Sequence, residues 1–284
     1  MKELIEKFES FVYKNGLEPG KVFDDLLRYI IHGYTLPGQP GLKDWNYNQE
    51  QNKEFYDMYA LCVQIMEKEL RTKEWFDIFG NIYENFVASK GRKSNNGQFF
   101  TPEGLCDLMS EITRGDEKIS GKIIGDCACG SGRTLLSFHV KNPGNYYIAE
   151  DVDRTCAMMT VCNFLFHGVV GEVIWHDSIN PDSFFGAWRV NEQLNKFGQK
   201  YFGIPHIQSI TYEQTKLKKM WDKRIDIYRV LEKLKGNEER ICKQLKNFDE
   251  YKSLSDKEKL EYKQIRDKYI NIRKIIKKYE KLHC

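Results

Sequence analysis

Asp126-Cys127-Ala128-Cys129-Gly130-Ser131-Gly132, with Ile123-Ile124 before it and Leu135-Leu136 after it, decides the fold. The pattern is an apolar strand, a glycine turn and a helix that begins near Arg133. Glycines at 130 and 132 permit a tight turn and close approach to a ligand, and the helix start aims unpaired N–H groups at that ligand. A nucleotide-like cofactor suits such a turn. Cys127 and Cys129 have the spacing of strand alternation, not of a zinc pair, and read as small residues of a backbone turn with no metal bound.

Working outward, residues 98 to 178 alternate strands and helices. Ile119–Asp126, Tyr146–Asp151 and Val173–His176 read as strands, and Thr134–Val140 and Arg154–His167 as helices. This alternation predicts a parallel sheet covered on both faces. Ligands bind beyond the carboxyl ends of such strands, where Gly130, Asp151 and Asp177 converge. Asp151, after the second strand, has two carboxylate oxygens to accept from ribose hydroxyls. A nicotinamide dinucleotide would need a third glycine where Leu135 stands, and a P-loop would need a Gly-Lys-Ser/Thr run that is missing. S-adenosylmethionine fits better, with Asp177 accepting from the adenine amino group.

The flanks differ in character. Residues 1–90 are helical in period, with Phe23, Leu26, Leu27 and Ile30 on one face and Phe55, Met58, Tyr59, Cys62 and Ile65 on another. Tyr34-Thr35-Leu36-Pro37-Gly38-Gln39-Pro40-Gly41 interrupts them as a loop. A second amphipathic run, Trp75 to Val87, ends in the basic loop Ser89–Gly97. From 212 to 284 the chain is charged and helical. Leu217, Met220, Arg224, Ile227, Leu231 and Leu234 recur at steps of three and four, as do Ile265, Tyr269, Ile272, Ile276 and Tyr279. Gly236-Asn237 and Ser253–Asp256 offer breaks, with Ser255 placed as an N-cap three residues before Glu258. A helical hairpin or coiled coil follows, its faces packed on each other or docked on DNA or a protein.

The chain has 284 residues, eight cysteines and a net charge of +3. No C-x-x-C pair occurs, so reduced thiols are expected. From Glu213 onward 22 Lys and Arg face 13 Asp and Glu, a net of +9, which leaves −6 for the rest. Any basic partner surface therefore lies in the tail. No apolar run approaches the ~20 residues that span a bilayer, and the N-terminus has no signal-peptide core. A cytoplasmic protein without membrane contact is expected.

Four motifs occur together: Gly97-Gln98-Phe99-Phe100-Thr101-Pro102, the glycine turn, Glu150-Asp151-Val152-Asp153 and His176-Asp177-Ser178-Ile179. In order and spacing they resemble the adenine-N6 DNA methyltransferases, above all the methylation subunits of type I restriction-modification systems. Phe76–Glu84 resembles the helix that precedes their catalytic domain. The resemblance covers residues 75 to 179. It implies an α/β fold, with an incomplete methyltransferase (Rossmann-like) core and a mostly parallel sheet over 91–211; the periodicity puts a helical section over 1–90 and a helical tail over 212–284. The resemblance places Gln98, Phe100, Thr101 and Pro102 over the methionine end of S-adenosylmethionine. Asp126, Ala128, Gly130, Ser131 and Gly132 then hold its amino acid and ribose, Asp151 and Val152 its ribose side, and Asp177 and Ser178 its adenine. Cys127 stands where the family usually has proline. Thr101 also reads as the cap of a helix, and Asp177 as a strand-end turn residue.

Family members that methylate adenine carry an Asn/Asp-Pro-Pro-aromatic loop after the fourth strand. There the amide and a backbone carbonyl accept protons from the exocyclic amine, and the ring stacks on a flipped base. None of the seven prolines adjoins another. Asn180-Pro181 comes only three residues after Asp177, and Asn191 lies further on; these are the only catalytic candidates, both weak. The expectation is a DNA-binding, S-adenosylmethionine-binding member of that family, inactive alone or dependent on a partner. The alternatives are a non-enzymatic accessory module for DNA or protein with a vestigial pocket, and a methyltransferase with a substrate other than DNA. The segment 184–211 has no chemical reading in the sequence.

Overall fold

The structure, a computed structural model, describes residues 1–39, 41–87, 100–180, 182–247 and 254–281. Gln98 and the loop over 89–97 lie outside the described residues, as does Pro181. The chain divides into two compact units, Met1–Thr215 and Lys216–Cys284.

In the first unit, helices α1 (Lys2–Asn15), α2 (Pro19–Gly33) and α3 (Gln49–Glu69) precede a short α4 (Ile78–Ile82), which continues as a π-helical turn over Tyr83–Val87. Each forms where its apolar period meets a terminus signal. Pro19 opens α2 with its preset φ, and Asn48 and Gln51 close a reciprocal capping box on α3. Leu4, Phe8 and Phe11 of α1 meet Phe23, Leu26 and Leu27 of α2 and Phe55 and Met58 of α3 in one core. That core is continuous with the core of the sheet. Thr155 Oγ1 donates to Asp24 at 2.7 Å, tying the sheet's covering helix to α2.

Then come α5 (Glu103–Arg114), β1 (Ile123–Asp126), α6 (Arg133–Lys141), β2 (Tyr146–Asp151), α7 (Arg154–Phe166), β3 (Gly171–His176), β4 (Phe184–Val190) and β5 (Ile207–Ile210). The sheet order follows the chain, β1-β2-β3-β4-β5. β1, β2 and β3 are parallel, with Ile123 opposite Tyr146 and Tyr147 opposite Gly171. α7 is buried on nearly every side, between the sheet and the helical section, and Cys156 and Cys162 pack there.

The strand expected over Ile119–Asp126 is shorter and is not buried. Asn142 Oδ1 accepts from the N–H of Ile119 at 3.1 Å, and Asn145 Oδ1 from that of Lys122 at 2.9 Å. Side-chain amides thus alternate with two backbone bonds, Gly121 N to Gly144 O at 3.0 Å and Tyr146 N to Lys122 O at 2.9 Å, before the strand begins at Ile123. β1 is also the edge of the sheet, and Ile123 is 44% exposed. The segment without a reading in the sequence forms the other flank. β4 and β5 pair antiparallel beyond β3, with Gly171 opposite Val190 and Ala187 opposite Ile210. The expected loop after α2 closes that edge, since Leu36 donates to Ile207 O at 2.9 Å and Ile207 to Tyr34 O at 2.8 Å. An open sheet edge is a template for other strands, and here the bridge at Ile207 blocks its start.

The second unit holds α8 (Lys216–Lys246) and α9 (Asp256–Lys281), which pack together. Lys235–Glu280 and Arg273–Glu238 pairs, at 3.2 Å each, run between them in antiparallel register. The break expected at Gly236-Asn237 does not occur. One glycine costs a helix interior only about 1 kcal/mol, and its neighbours Lys235 and Glu238 are tied to α9. Ser255 caps α9 as expected, receiving the Glu258 N–H at 3.4 Å while its own N–H donates to Glu258 at 2.8 Å. Among the described residues no helix is long and apolar enough to cross a membrane.

Candidate cofactor site

The carboxyl ends of β1, β2 and β3 bring three loops together. Asp126 closes β1 and organises the turn that follows: its Oδ1 accepts from Ala128 N at 3.1 Å and its Oδ2 from the Thr134 hydroxyl. Gly130 and Gly132 have φ of +57° and +86°, the left-handed region that costs other residues about 1–2 kcal/mol. Space is as limiting as conformation. A Cβ on Gly130 would lie 3.0 Å from the Phe100 ring, and one on Gly132 would lie 3.1 Å from Thr160. Only glycine at these two positions lets the Phe100 ring and Thr160 close on the turn, so the cradle is walled by protein atoms on its Cβ sides.

Asp151 stands over this cradle from the end of β2. Its Oδ2 accepts from Gly130 N at 2.8 Å and its Oδ1 from Asp153 N at 2.8 Å. Burial pushes the carboxyl above its ordinary range, and these two N–H bonds offset only part of that cost. Val152 beside it is 64% exposed, an apolar side chain open to a flat ligand, while its carbonyl accepts from Trp175 Nε1 at 3.0 Å. After β3, Asp177 Oδ1 accepts from Ile179 N at 2.9 Å, and Ser178 Oγ donates to Cys127 O at 3.0 Å. Ser178 therefore links the third loop to the first.

Phe100, Thr101 and Pro102 lead into α5. Pro102, not Thr101, occupies the cap position, and no side chain caps the helix. Thr101 instead offers its carbonyl to Arg133 at 3.5 Å. The Ser131 side chain, placed in the cofactor turn by the sequence, points beneath it: it is 1% exposed and donates to Asp77 Oδ2 at 2.5 Å. Asn180 stays in the turn after Asp177, where its Oδ1 accepts from Asp182 N at 3.3 Å. Asn191 is not brought to this crevice. It is fully buried at the far end of β4, opposite the start of β3, and its amide is spent on Phe164 O, Val169 O and His206 N at 3.1 to 3.2 Å.

Sequence reasoning missed the support beneath the turn. The buried Asp77 and Arg133 form an ionic group there with the half-buried Glu84, Arg133 Nε lying 2.6 Å from Asp77 and Nη2 2.8 Å from Glu84. Burial works against the guanidinium's charge, but the two carboxylates outweigh it and raise its pKa. The signal available was one acid inside the apolar run Trp75-Phe76-Asp77-Ile78-Phe79 and one Arg directly after the turn.

A cavity of about 680 Å³ lies elsewhere, among Tyr29, Tyr34, Trp45, Tyr56 and Tyr59 of the helical section, and none of the motif residues lines it. One of about 310 Å³ adjoins β1 between α5 and α6, lined by Cys106, Met109, Asp126, Cys127 and Phe138.

Parallel strands with a glycine turn after the first and an acid after the second define an α/β protein of the methyltransferase type. The comparisons with known proteins make this specific. The chain belongs to the N-6 DNA methylase family, whose model matches residues 74–219, about half of its length. It is similar to the methylase subunit of the type I restriction enzyme EcoEI of Escherichia coli, with 31% identity over 117 residues, 36% of this chain and 23% of that subunit. The chain thus spans about a quarter of the relative's length. No solved structure matches it.

Proposed function

We infer that the chain is the S-adenosylmethionine-binding part of an adenine-N6 DNA methyltransferase, and that it transfers no methyl group without further residues. The convergence of the Gly130 cradle, Asp151 and Asp177 in one crevice carries this reading. The Gly130–Gly132 turn would hold the cofactor's amino-acid end, with the Phe100 ring packed on Gly130 as one wall. Asp151 keeps lone pairs for ribose hydroxyls after accepting its two N–H groups. Asp177 would accept from an adenine amine, with Val152 as an apolar neighbour. The bound cofactor would supply an electrophilic methyl group.

What the sequence does not offer is an acceptor for the protons of a target amine. No Pro-Pro loop occurs, Asn191 is committed to the fold, and Asn180 sits three residues after Asp177. Among the described residues β1 has no strand on its outer edge. On α5, which shares a cavity with β1, Leu105, Leu108, Met109 and Ile112 are 46–73% exposed. A strand and loop from a partner polypeptide, paired with β1, would complete both the sheet and the chemistry. Calorimetric titration with S-adenosylmethionine, followed by a methyl-transfer assay on adenine-containing DNA, tests the reading. Binding without transfer is expected; absence of binding refutes the cofactor assignment, and transfer by the chain alone refutes the missing-loop argument.

The net +9 of the tail favours a second reading, in which α8 and α9 dock DNA without catalysis. Binding through about six phosphates would then fall ~10³-fold between about 50 and 200 mM salt. Mobility-shift titration measures this, and salt-insensitive binding would exclude phosphate docking by the tail.

A further inference from the structure

Asp77 lies between the helical section and the glycine turn, and neither the four motifs nor the proposed cofactor contacts assign it a role. It is fully buried, and both of its oxygens are doubly engaged. Oδ1 accepts from Gly80 N at 2.8 Å and from Asn163 Nδ2 at 2.6 Å. Oδ2 accepts from Ser131 Oγ at 2.5 Å and Arg133 Nε at 2.6 Å. An ionised carboxylate has about four acceptor sites, and all are used. Two of the four donors, Ser131 and Arg133, belong to the cofactor turn and the start of α6. A third, Asn163, spends its other N–H on Ser131 O at 2.8 Å. The residue after Gly130 is therefore held at both its hydroxyl and its carbonyl by one buried cluster.

The packing is close enough to specify its members. A Cβ on Gly80 would fall within the Asp77 carboxylate and 2.8 Å from Ser131 Oγ, so α4 can approach the turn only with glycine there. From Asp77 the arrangement extends outward. Arg133, fixed at Nε, turns its other nitrogens to Glu84 and the Thr101 carbonyl, and lays its guanidinium over the Phe100 ring, 5.3 Å from the centroid. Phe100 is the ring that borders the Gly130 cradle.

We propose that Asp77 is a positioning residue for the cofactor turn: through Ser131 and Arg133 it fixes the Gly130–Gly132 backbone and the Phe100 ring in the binding geometry before any ligand arrives. Its effect on cofactor affinity rests on the reading of this crevice as an S-adenosylmethionine site; its effect on the turn does not. Preorganisation of this kind lowers the ordering cost of binding, and a buried charged cluster supplies it because no member moves without leaving another unpaired.

The chain carries its own reporters. Cys129 lies in the turn and is 6% exposed, whereas Cys62 of α3 is fully buried away from it. Burial, with Asp151 nearby, pushes the Cys129 thiol well above its usual range, so it reacts with alkylating agents only when the turn opens. Asn at position 77 would direct an amide N–H₂ at two donors. The experiment is Asp77→Asn against wild type, with alkylation at each cysteine followed by peptide mass spectrometry without ligand, and S-adenosylmethionine affinity by calorimetry. Cys129 should label at least tenfold faster at an unchanged Cys62 rate, and affinity should fall at least tenfold. Ser131→Ala, which removes one partner and keeps the charge pair, should give an intermediate, equally selective rise and covers the case in which Asp77→Asn fails to fold. Parallel acceleration of Cys62 and Cys129, or no change at either, overturns the proposal. Selective opening of Cys129 in a protein that binds no cofactor as wild type would uphold the positioning and refute the cofactor reading alone.

Discussion

Replacing Asp151 with Asn separates its two tasks. In the fold, its carboxylate accepts from Gly130 N and Asp153 N, each at 2.8 Å. Asn keeps one oxygen for one of these and presents an N–H₂ to the other. One charge-assisted bond is lost, about 1.5–3 kcal/mol. Against that, burial already disfavours the ionised form, and the neutral amide is relieved of that cost. The expected loss of stability is therefore at the lower end, about 1–2 kcal/mol. A ribose would lose at least one ionic acceptor with no such relief. At about 1.4 kcal/mol per tenfold, affinity should fall about 10- to 100-fold, measured by calorimetry with S-adenosylmethionine at neutral pH. The pH dependence gives a second signature. The ionised carboxylate is the acceptor, so wild-type affinity should decline as pH falls through a value above the ordinary 3.8. The fold binds that proton more readily than the unfolded chain does, so the same protonation adds stability relative to the variant as pH falls through that window. A folded Asp151→Asn protein whose affinity stays within threefold of wild type would refute the ribose role.

Burial, reinforced by nearby His167, depresses the pKa of His139 from 6.5 to about 4. The unfolded chain takes up this proton first, so stability should fall as pH drops from 6.5 toward 4, by about 3 kcal/mol from this group. Urea unfolding across that range should show a shallower acid arm in His139→Phe; an identical arm would remove His139 from the account. The exposed stripe on α5 should matter to association and not to the fold. Leu108→Lys with Ile112→Lys should leave the unfolding free energy within about 0.5 kcal/mol per site and lower binding of an apolar dye. A clear loss of stability would mean that the stripe is packed in solution.

The parallel half of the sheet was legible because βαβ alternation leaves a strong sequence trace. Tyr146–Asp151 reads identically in sequence and structure, since its run is bounded by Asn145 and Asp151-Val152-Asp153. β4 and β5 were not legible. Phe184-Phe185-Gly186-Ala187-Trp188-Arg189-Val190 lacks clean alternation, and its pairing with β3 is set by long-range register that no local pattern encodes. The same limit hid the Asp77 cluster. Asp77 and Arg133 are 56 residues apart, and an acid in an apolar run shows only that a partner must exist, not where it is. Ser131 was read as a ligand contact for the converse reason: sequence reveals that a residue belongs to a turn, not which way its hydroxyl points.

The two flanks of the sheet end differently. Past β3, two antiparallel strands extend the sheet, and the Tyr34–Leu36 backbone takes up both hydrogen-bonding groups of Ile207 at its outer edge. At β1, four residues long, the outer edge carries no strand among the described residues, and the adjoining α5 exposes its apolar stripe. A short edge strand limits unwanted pairing, but an apolar stripe beside it is not how a sheet edge is protected, because it favours association. The arrangement makes sense when the glycine turn, fixed from beneath by Asp77, can hold its ligand without help, while the side of β1 away from β2 waits for the residues that would act on a target base. On the proposed reading, cofactor binding needs only the residues of this crevice and methyl transfer needs further ones, so affinity and turnover are to be measured as separate quantities.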